Sequence, residues 1–458
     1  MPPSRKTYVI GVGCTAFEKP RNRVDYPYLA IEAATKALLD AGVNYDEVEQ
    51  AYAGYVYGDS TCGQRALYGL GLTQIPIINV NNNCSTGSSA LYLARQMVEL
   101  GAVNCAMALG FEKMAPGSLN AVFADRAPPM EKTIAMTAEL GGFGEGPFAA
   151  QIFGNGGEEY CQKYGATWED ICAIAAKNHK HSVNNPYSQF RNAMTTEQVL
   201  KDKPVSGKMT RGCCCPTSDG AACAIIASED FVKKHNLQNQ AIEIVGQSMT
   251  TDSPRLFNDR SAIELTGADM TRKAAQAAYK QAGISPADLS VIELHDCFAA
   301  NELLVYDALG LTEPGKAHEL VRGNNNTYGG KYVINPSGGL ESKGHPLGAT
   351  GLGMVFYLTM QLRGWAGPMQ MEDAKPGVKE KQGKQAYALA HNLGLGGSCV
   401  VTVLKRPEFF KQGGQDGRAR VGYNHGCECK PVTQQDIDKV KSVKAHSDFA
   451  EEESFQEA

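Results

Sequence analysis

The chain contains two copies of one pattern, and this repeat restricts the folds open to it more than any other feature. Residues 30–43 and 271–284 are both amphipathic at helical spacing, and both close on Ala-Gly, at Ala41-Gly42 and Ala282-Gly283. Glycine there suits the left-handed residue that ends a helix. An acidic turn follows each (Asp46-Glu47 and Asp288), then an apolar strand over residues 51–56 or 290–294. A strand also precedes each, at 8–11 and 242–246. Each half ends in two more apolar strands, at 105–109 and 221–226 in the first and at 385–389 and 399–404 in the second. Strands alternating with helices predict an α/β protein with mainly parallel, buried sheets. A stretch rich in Gly, Pro, Met and aromatic residues interrupts the first half late. The expected organisation is a first half of residues 1–114 and 216–234, an inserted domain of 115–215, a second half of 235–407 and a polar tail of 408–458. Such repetition names no chemistry.

Chemistry enters at Cys84, where an apolar run, residues 75–80, passes through Asn81-Asn82-Asn83 into a helix of small residues. A thiol at a helix N-terminus faces unpaired N–H groups and the positive end of the dipole. That predicts a pKa lowered from about 8.5 to roughly 3.5–7.5. An inert buried thiol is the competing reading, and the usual one for free cysteine. A matching element tips the balance: Gly344-His345-Pro346 opens a second helix of small residues. In both places a reactive residue is followed three positions later by glycine, Cys84 by Gly87 and His345 by Gly348. Glycine near a helix start costs helix stability and permits close approach. Two such helices can meet end to end, with nucleophile and base in hydrogen-bond reach.

His295-Asp296-Cys297-Phe298 directly follows the apolar strand of the second half. Ligands of open α/β sheets bind at the carboxyl ends of strands. An imidazole and a thiol two residues apart can serve there as oxyanion partner and proton donor; a structural histidine is the plainer alternative.

Other features mainly exclude. A net charge of −5 and a pI near 6.0, with no dense basic stretch, argue against a nucleic-acid partner. No run of about 18 apolar residues predicts a membrane span, and the first residues lack a secretory apolar region. Fourteen cysteines without framework spacing indicate a reducing interior. Cys213-Cys214-Cys215 and Cys427-Glu428-Cys429 lack the paired spacing of a zinc site, so no metal is expected. The glycine-rich stretches form neither a Walker loop nor a dinucleotide fingerprint. Lys180, His181 and Arg191 could meet a ligand phosphate, although a solvated helix face is the plainer reading. From Asp436 onward the sequence reads as a surface helix and an acidic, disordered end.

Together these motifs resemble the thiolase superfamily, and within it the sterol-carrier-protein-type thiolases, over about residues 5–406. The motifs are Asn82-Asn83-Cys84-Ser85-Thr86-Gly87, His295-Asp296-Cys297-Phe298, Asn335-Pro336-Ser337-Gly338-Gly339 leading to Gly344-His345-Pro346, and Gly394-Leu395-Gly396-Gly397. Ordinary thiolases carry Asn-Glu-Ala-Phe in place of the second motif and a second catalytic cysteine in Cys-x-Gly near the last hairpin. Here Cys399 is followed by Val400 and Val401, so the resemblance implies that Cys297 takes over as acid/base.

The resemblance further implies two βαβαβαββ halves stacked as a five-layered αβαβα core, and a homodimer. It implies thiolysis of 3-oxoacyl-CoA by CoA to acetyl-CoA (propionyl-CoA from 2-methyl substrates) and a shortened acyl-CoA. Coenzyme A is then a substrate, with no permanently bound cofactor. Cys84, His295, Cys297 and His345 would be catalytic, and the N–H of Cys84 with one near Gly396 an oxyanion hole. Asn335 and Gly339 would support the loops. The inserted domain would bind CoA and the acyl chain, with Lys180, His181 and Ser337 as candidate contacts. The family's compartments are peroxisome and mitochondrial matrix; no clear targeting signal selects one. The residues after 407 are too few for the lipid-carrier domain that many relatives carry, which predicts a stand-alone thiolase domain. The rivals are a condensing enzyme using Cys84, His295 and His345, and a non-catalytic acyl-CoA-binding member.

Overall fold

The computed structural model describes residues 5–20, 24–114, 123, 125–142, 144–411, 413 and 415–451. Ten strands form one large sheet: β1 (Thr7–Cys14), β2 (Gln50–Gly54), β3 (Ile77–Val80), β4 (Cys105–Glu112), β5 (Gly220–Ser228), β6 (Ile242–Thr250), β7 (Leu289–Glu293), β8 (Val333–Ile334), β9 (Tyr387–Gly394) and β10 (Ser398–Lys405). Their order is β8-β7-β9-β10-β6-β1-β5-β4-β2-β3. Divided between β6 and β1, each half reads third, second, fourth, fifth, first. The repeat seen in the sequence is thus a repeat of topology. The halves join antiparallel over only Tyr8↔Glu243 and Val9↔Ile242.

The sheet is mixed, not mainly parallel. β2 runs parallel to β3 and β4, and β7 to β8 and β9, but β5 and β10 run antiparallel to both of their neighbours. The reason is connectivity. The turn at Leu395–Gly397 joins β9 directly to β10 with no crossover helix, and a tight turn can only join antiparallel strands. The first half keeps this pairing although its connection carries the insertion.

The helices include α1 (Tyr26–Ala41), α2 (Thr86–Glu99), α3 (Phe148–Tyr164), α4 (Trp168–Ser182), α5 (Ala268–Ala282), α6 (Ala299–Ala308), α7 (Gly339–Lys343), α8 (Leu347–Arg363) and α9 (Gln434–Val440). α1 covers β1 and β5 on one outside, α5 covers β6 and β10 on the other, and α2 and α8 pack between the two halves. The layers are therefore αβαβα. Every residue of α8 is buried, as a helix apolar on all sides requires. Gly42 and Gly283 end α1 and α5 at φ 68° and 66°, the left-handed caps that the Ala-Gly pairs predict.

Between β4 and β5 lie α3, α4 and a hairpin of Pro204–Ser206 with Met209–Thr210. α4 starts at a Thr167/Asp170 capping box and packs on α6 and α7, so the insertion braces the elements that follow β7 and β8. The polar tail is held to the core over much of its length. Tyr187 Oη donates to the His425 carbonyl at 2.6 Å, Arg420 Nη2 to the Asp40 carbonyl at 2.6 Å, and the Ser442 N–H to the Leu70 carbonyl at 2.8 Å. Apolar residues add to this, with Val440 buried and Phe409, Val421 and Ile437 packed against the core. Residues 452–458 of the expected disordered end lie outside the described residues.

Candidate active site

Three asparagines shape the turn that presents Cys84. Asn83 adopts a left-handed φ of 52°, steadied by its N–H donating to Asn81 Oδ1 at 3.0 Å. Asn82 Nδ2 donates to Ser89 Oγ, and Asn83 Nδ2 donates across to the Leu395 carbonyl at 3.1 Å. That last bond ties the Cys84 turn to the β9–β10 turn. Accordingly, the backbone N–H groups of Cys84 and Leu395 point at the sulfur. The N–H that faces the sulfur from this turn is thus that of Leu395, one residue before Gly396, which is exposed at the turn with φ 95°.

His345 arrives at the start of α8. Its N–H donates to Ser218 Oγ at 3.0 Å, and its Nδ1 lies 2.7 Å from Thr350 Oγ1. Thr350 gives its one hydroxyl proton to the Pro346 carbonyl at 2.9 Å, so toward His345 it accepts. The ring proton is therefore on Nδ1, and Nε2, buried without a partner among the described residues, presents a bare lone pair. His295 follows β7, and its backbone N–H donates to His391 Nδ1. Its Nδ1 meets Asn392 Nδ2 at 3.2 Å, and Asn392 Nδ2 also reaches the Cys84 carbonyl at 3.0 Å. Cys84 Sγ and one ring nitrogen of each histidine lie within 4.8 Å of one another, and the imidazoles stand edge to face at 5.1 Å. The thiol of Cys84 turns toward Asn83 Oδ1 at 3.7 Å rather than to His345. Cys84 and His345 are close but not hydrogen-bonded to each other.

Burial decides the charges. It pushes the Cys84 thiol up to about 12, helped by the nearby Glu112 carboxyl and opposed by the two backbone N–H groups. The lowered value expected from the helix start is overturned: the sulfur sits before the Ser85 cap, in a site whose desolvation outweighs those dipoles. Burial, with Lys343 nearby, takes His345 down to about 3; burial with His345 and His391 takes His295 well below the usual range. Cys297 is held well above the usual range by burial, then by Cys215 and Cys84. At rest the pocket holds neutral imidazoles and protonated thiols.

Beneath the His295–Phe298 loop, Asn335 Oδ1 accepts from the Leu294 N–H at 2.9 Å, and Asp296 Oδ1 from the Leu340 N–H at 2.8 Å. A β-carbon on Gly339 would stand 1.9 Å from Asp296 Oδ2, so only glycine fits there.

A family profile described as "Thiolase, N-terminal domain" matches residues 7–230, and one described as "Thiolase C-terminal domain-like" matches residues 256–392. The chain belongs to the thiolase family. "Sterol carrier protein 2" of Homo sapiens is 53% identical over 404 residues, covering 88% of this chain and 72% of that protein. "Non-specific lipid-transfer protein-like 2" of Caenorhabditis elegans is 46% identical over 410 residues, 88% of this chain and 97% of that one. Among solved structures, human mitochondrial 3-ketoacyl-CoA thiolase in complex with CoA matches with a TM-score of 0.61 at 20% identity, covering 88% of this chain and 98% of that one, which shows the shared fold.

In this thiolase the three candidate CoA contacts fare unequally. Ser337 is fully buried and donates to Glu293 Oε2 at 2.7 Å. His181 has both ring nitrogens engaged, at the Asn335 carbonyl and at Thr327 Oγ1. Neither can serve CoA, because each is spent inside the fold; Lys180 alone is exposed. A cavity of about 640 Å³ opens instead beside the loop, lined among others by Lys19, Phe190, Met194, Arg211, Cys214 and Cys215. None of Cys84, His295, Cys297 and His345 lines it, but Cys215 on its wall donates its N–H to the Cys297 carbonyl at 2.9 Å. Sequence reasoning missed Thr350, His391, Asn392, Leu395 and Glu112. The pair His391-Asn392, polar within an apolar strand, was the available signal.

Proposed function

We propose that this thiolase cleaves 3-oxoacyl-CoA with CoA, carrying the shortened acyl group on Cys84. The observation that carries this reading is a buried sulfur within 4.8 Å of two neutral imidazoles, with a second thiol, Cys297, close enough for the two to bear on each other electrostatically.

The bare Nε2 of His345 takes the Cys84 proton as the sulfur bonds to the 3-keto carbon. The N–H groups of Cys84 and Leu395 hold the oxyanion formed there. The bond between C2 and C3 breaks, and its electron pair passes to the acetyl-CoA enolate, whose oxygen lies toward His295 and the now protonated His345. Cys297 gives its proton to the enolate carbon. The incoming CoA thiol returns a proton to Cys297, its sulfur attacks the acyl carbon, and Cys84 leaves to recover its proton from His345. Each oxyanion donor contributes about 3–4 kcal/mol to such a step. No net proton is consumed, so a dry pocket suits the cycle.

The cavity beside Cys215 would receive the substrate, Phe190 and Met194 against the acyl chain and Lys19 and Arg211 toward phosphate. The edge strand β3, partly exposed, would pair with a second copy. The compartment that suits this reading is peroxisome or mitochondrial matrix. Acetyl-CoA release from 3-oxoacyl-CoA plus CoA, lost in Cys84→Ala, is the expected result. Cys297→Ala should still acylate Cys84 slowly yet fail to exchange the α-protons of acetyl-CoA. Decarboxylative condensation of a malonyl thioester without cleavage would instead identify a condensing enzyme.

A further inference from the structure

The amide of Asn392 touches both halves of the chemistry. Its Nδ2 lies 3.0 Å from the Cys84 carbonyl and 3.2 Å from His295 Nδ1. A carbonyl can only accept, so the nitrogen must face Cys84; turned over, the amide would set Oδ1 against that oxygen. An amide nitrogen only donates, so His295 Nδ1 must accept, and the single proton of the neutral ring resides on Nε2. The amide is wedged between α2 and α8. A β-carbon on Gly351 would stand 2.4 Å from Asn392 Oδ1 and 2.1 Å from Ser88 Oγ.

We propose that Asn392 is a positioning residue that fixes the proton of His295 on Nε2, making that ring a donor to the enolate oxygen. The inference rests on the thiolytic reading above. His345 and His295 then hold complementary tautomers, set by Thr350 and Asn392 respectively: one ring offers a lone pair to the Cys84 proton, the other an N–H to the developing charge. With both rings in the His345 form the enolate would lose its standing donor. With both in the His295 form the thiol would lose its base.

Two measurements test this. In protein labelled with ¹⁵N-histidine, the signals lost in His295→Gln should show a protonated Nε2 and a bare Nδ1 in the wild type; a protonated Nδ1 overturns the proposal. This readout needs no turnover, so an enzyme of another activity would show the tautomer without thiolysis. In the kinetic cycle, Asn392→Ala should lower kcat by about 10²–10³-fold, the loss of one oxyanion donor, with KM little changed. In a His295→Gln background, whose side-chain amide donates whatever its neighbour, Asn392→Ala should cost less than about threefold in kcat. Equal losses in both backgrounds would mark a purely structural residue and overturn the assignment.

Discussion

A β-carbon on Gly87 would lie 2.6 Å from the carbonyl oxygen of Gly348, so the two helices that carry Cys84 and His345 meet with no room for a side chain. A β-carbon on Gly348 would in turn lie 2.3 Å from the Phe111 carbonyl and 2.6 Å from the Gly54 carbonyl. The near neighbours of Gly87 are all backbone atoms, which cannot swing aside as a flexible side chain could.

Gly87→Ala therefore sets two effects against each other. Alanine favours a helix by up to about 1 kcal/mol over glycine, whereas forcing a methyl group into a packed interface costs about 1–3 kcal/mol. The clash wins because it moves α2 against α8. Thermal unfolding should show net destabilisation, and kcat/KM should fall further than stability does, since small misplacements of reacting groups are expensive. A variant with wild-type melting and wild-type rates would remove the packing argument.

Thr350→Val keeps shape but removes the acceptor that holds the His345 proton on Nδ1. An unpaired buried N–H costs about 1–3 kcal/mol, which corresponds to a kcat reduced about 10- to 100-fold if the ring turns or changes tautomer in response. KM should move little because Thr350 touches no substrate. Steady-state kinetics decides; a raised KM with unchanged kcat would place Thr350 in substrate binding.

The resting thiol of Cys84 has its own signature. With burial and Glu112 raising it to about 12, only the thiolate reacts with iodoacetamide. Alkylation at the Cys84 peptide, followed by mass spectrometry, should keep accelerating with pH up to about pH 9 without a plateau. A plateau near neutrality would mean that the helix start does produce a standing thiolate.

The repeat, the two glycine-opened helices and the motif residues were legible because each depends on local patterns: cap glycines, small-residue runs and reactive residues at element ends. Sheet direction was not, because it depends on whether a connection crosses over or turns back, and the insertion hid the first half's turn. The charge state of Cys84 was misjudged for a related reason. Its helix-start position is visible in the sequence, but its desolvation is set by Met114 and Leu347, which pack against it from distant segments. His181 and Ser337 looked available for CoA because a polar residue in a sequence does not reveal that Asn335, Thr327 and Glu293 already satisfy it.

His181 gives the last prediction, on stability against pH. Its Nδ1 faces the Asn335 carbonyl at 2.9 Å and so carries the proton, while Nε2 accepts from Thr327 Oγ1 at 2.8 Å. Burial first, and then Lys177, hold its pKa down to about 3, against the bond to the Asn335 carbonyl. In the unfolded chain the same ring titrates near about 6.5. Between these values the unfolded state binds the extra proton, so the contribution of His181 is complete above about pH 6.5 and is lost as pH falls toward 3. His181→Asn keeps an amide donor for the Asn335 carbonyl but cannot titrate. The stability advantage of the wild type over this variant should therefore shrink by about 1.4 kcal/mol per pH unit between about pH 6 and pH 4. Denaturant titrations of both proteins across that window measure it. A constant difference would mean that His181 is already protonated in the fold, and that the Thr327 hydroxyl accepts rather than donates.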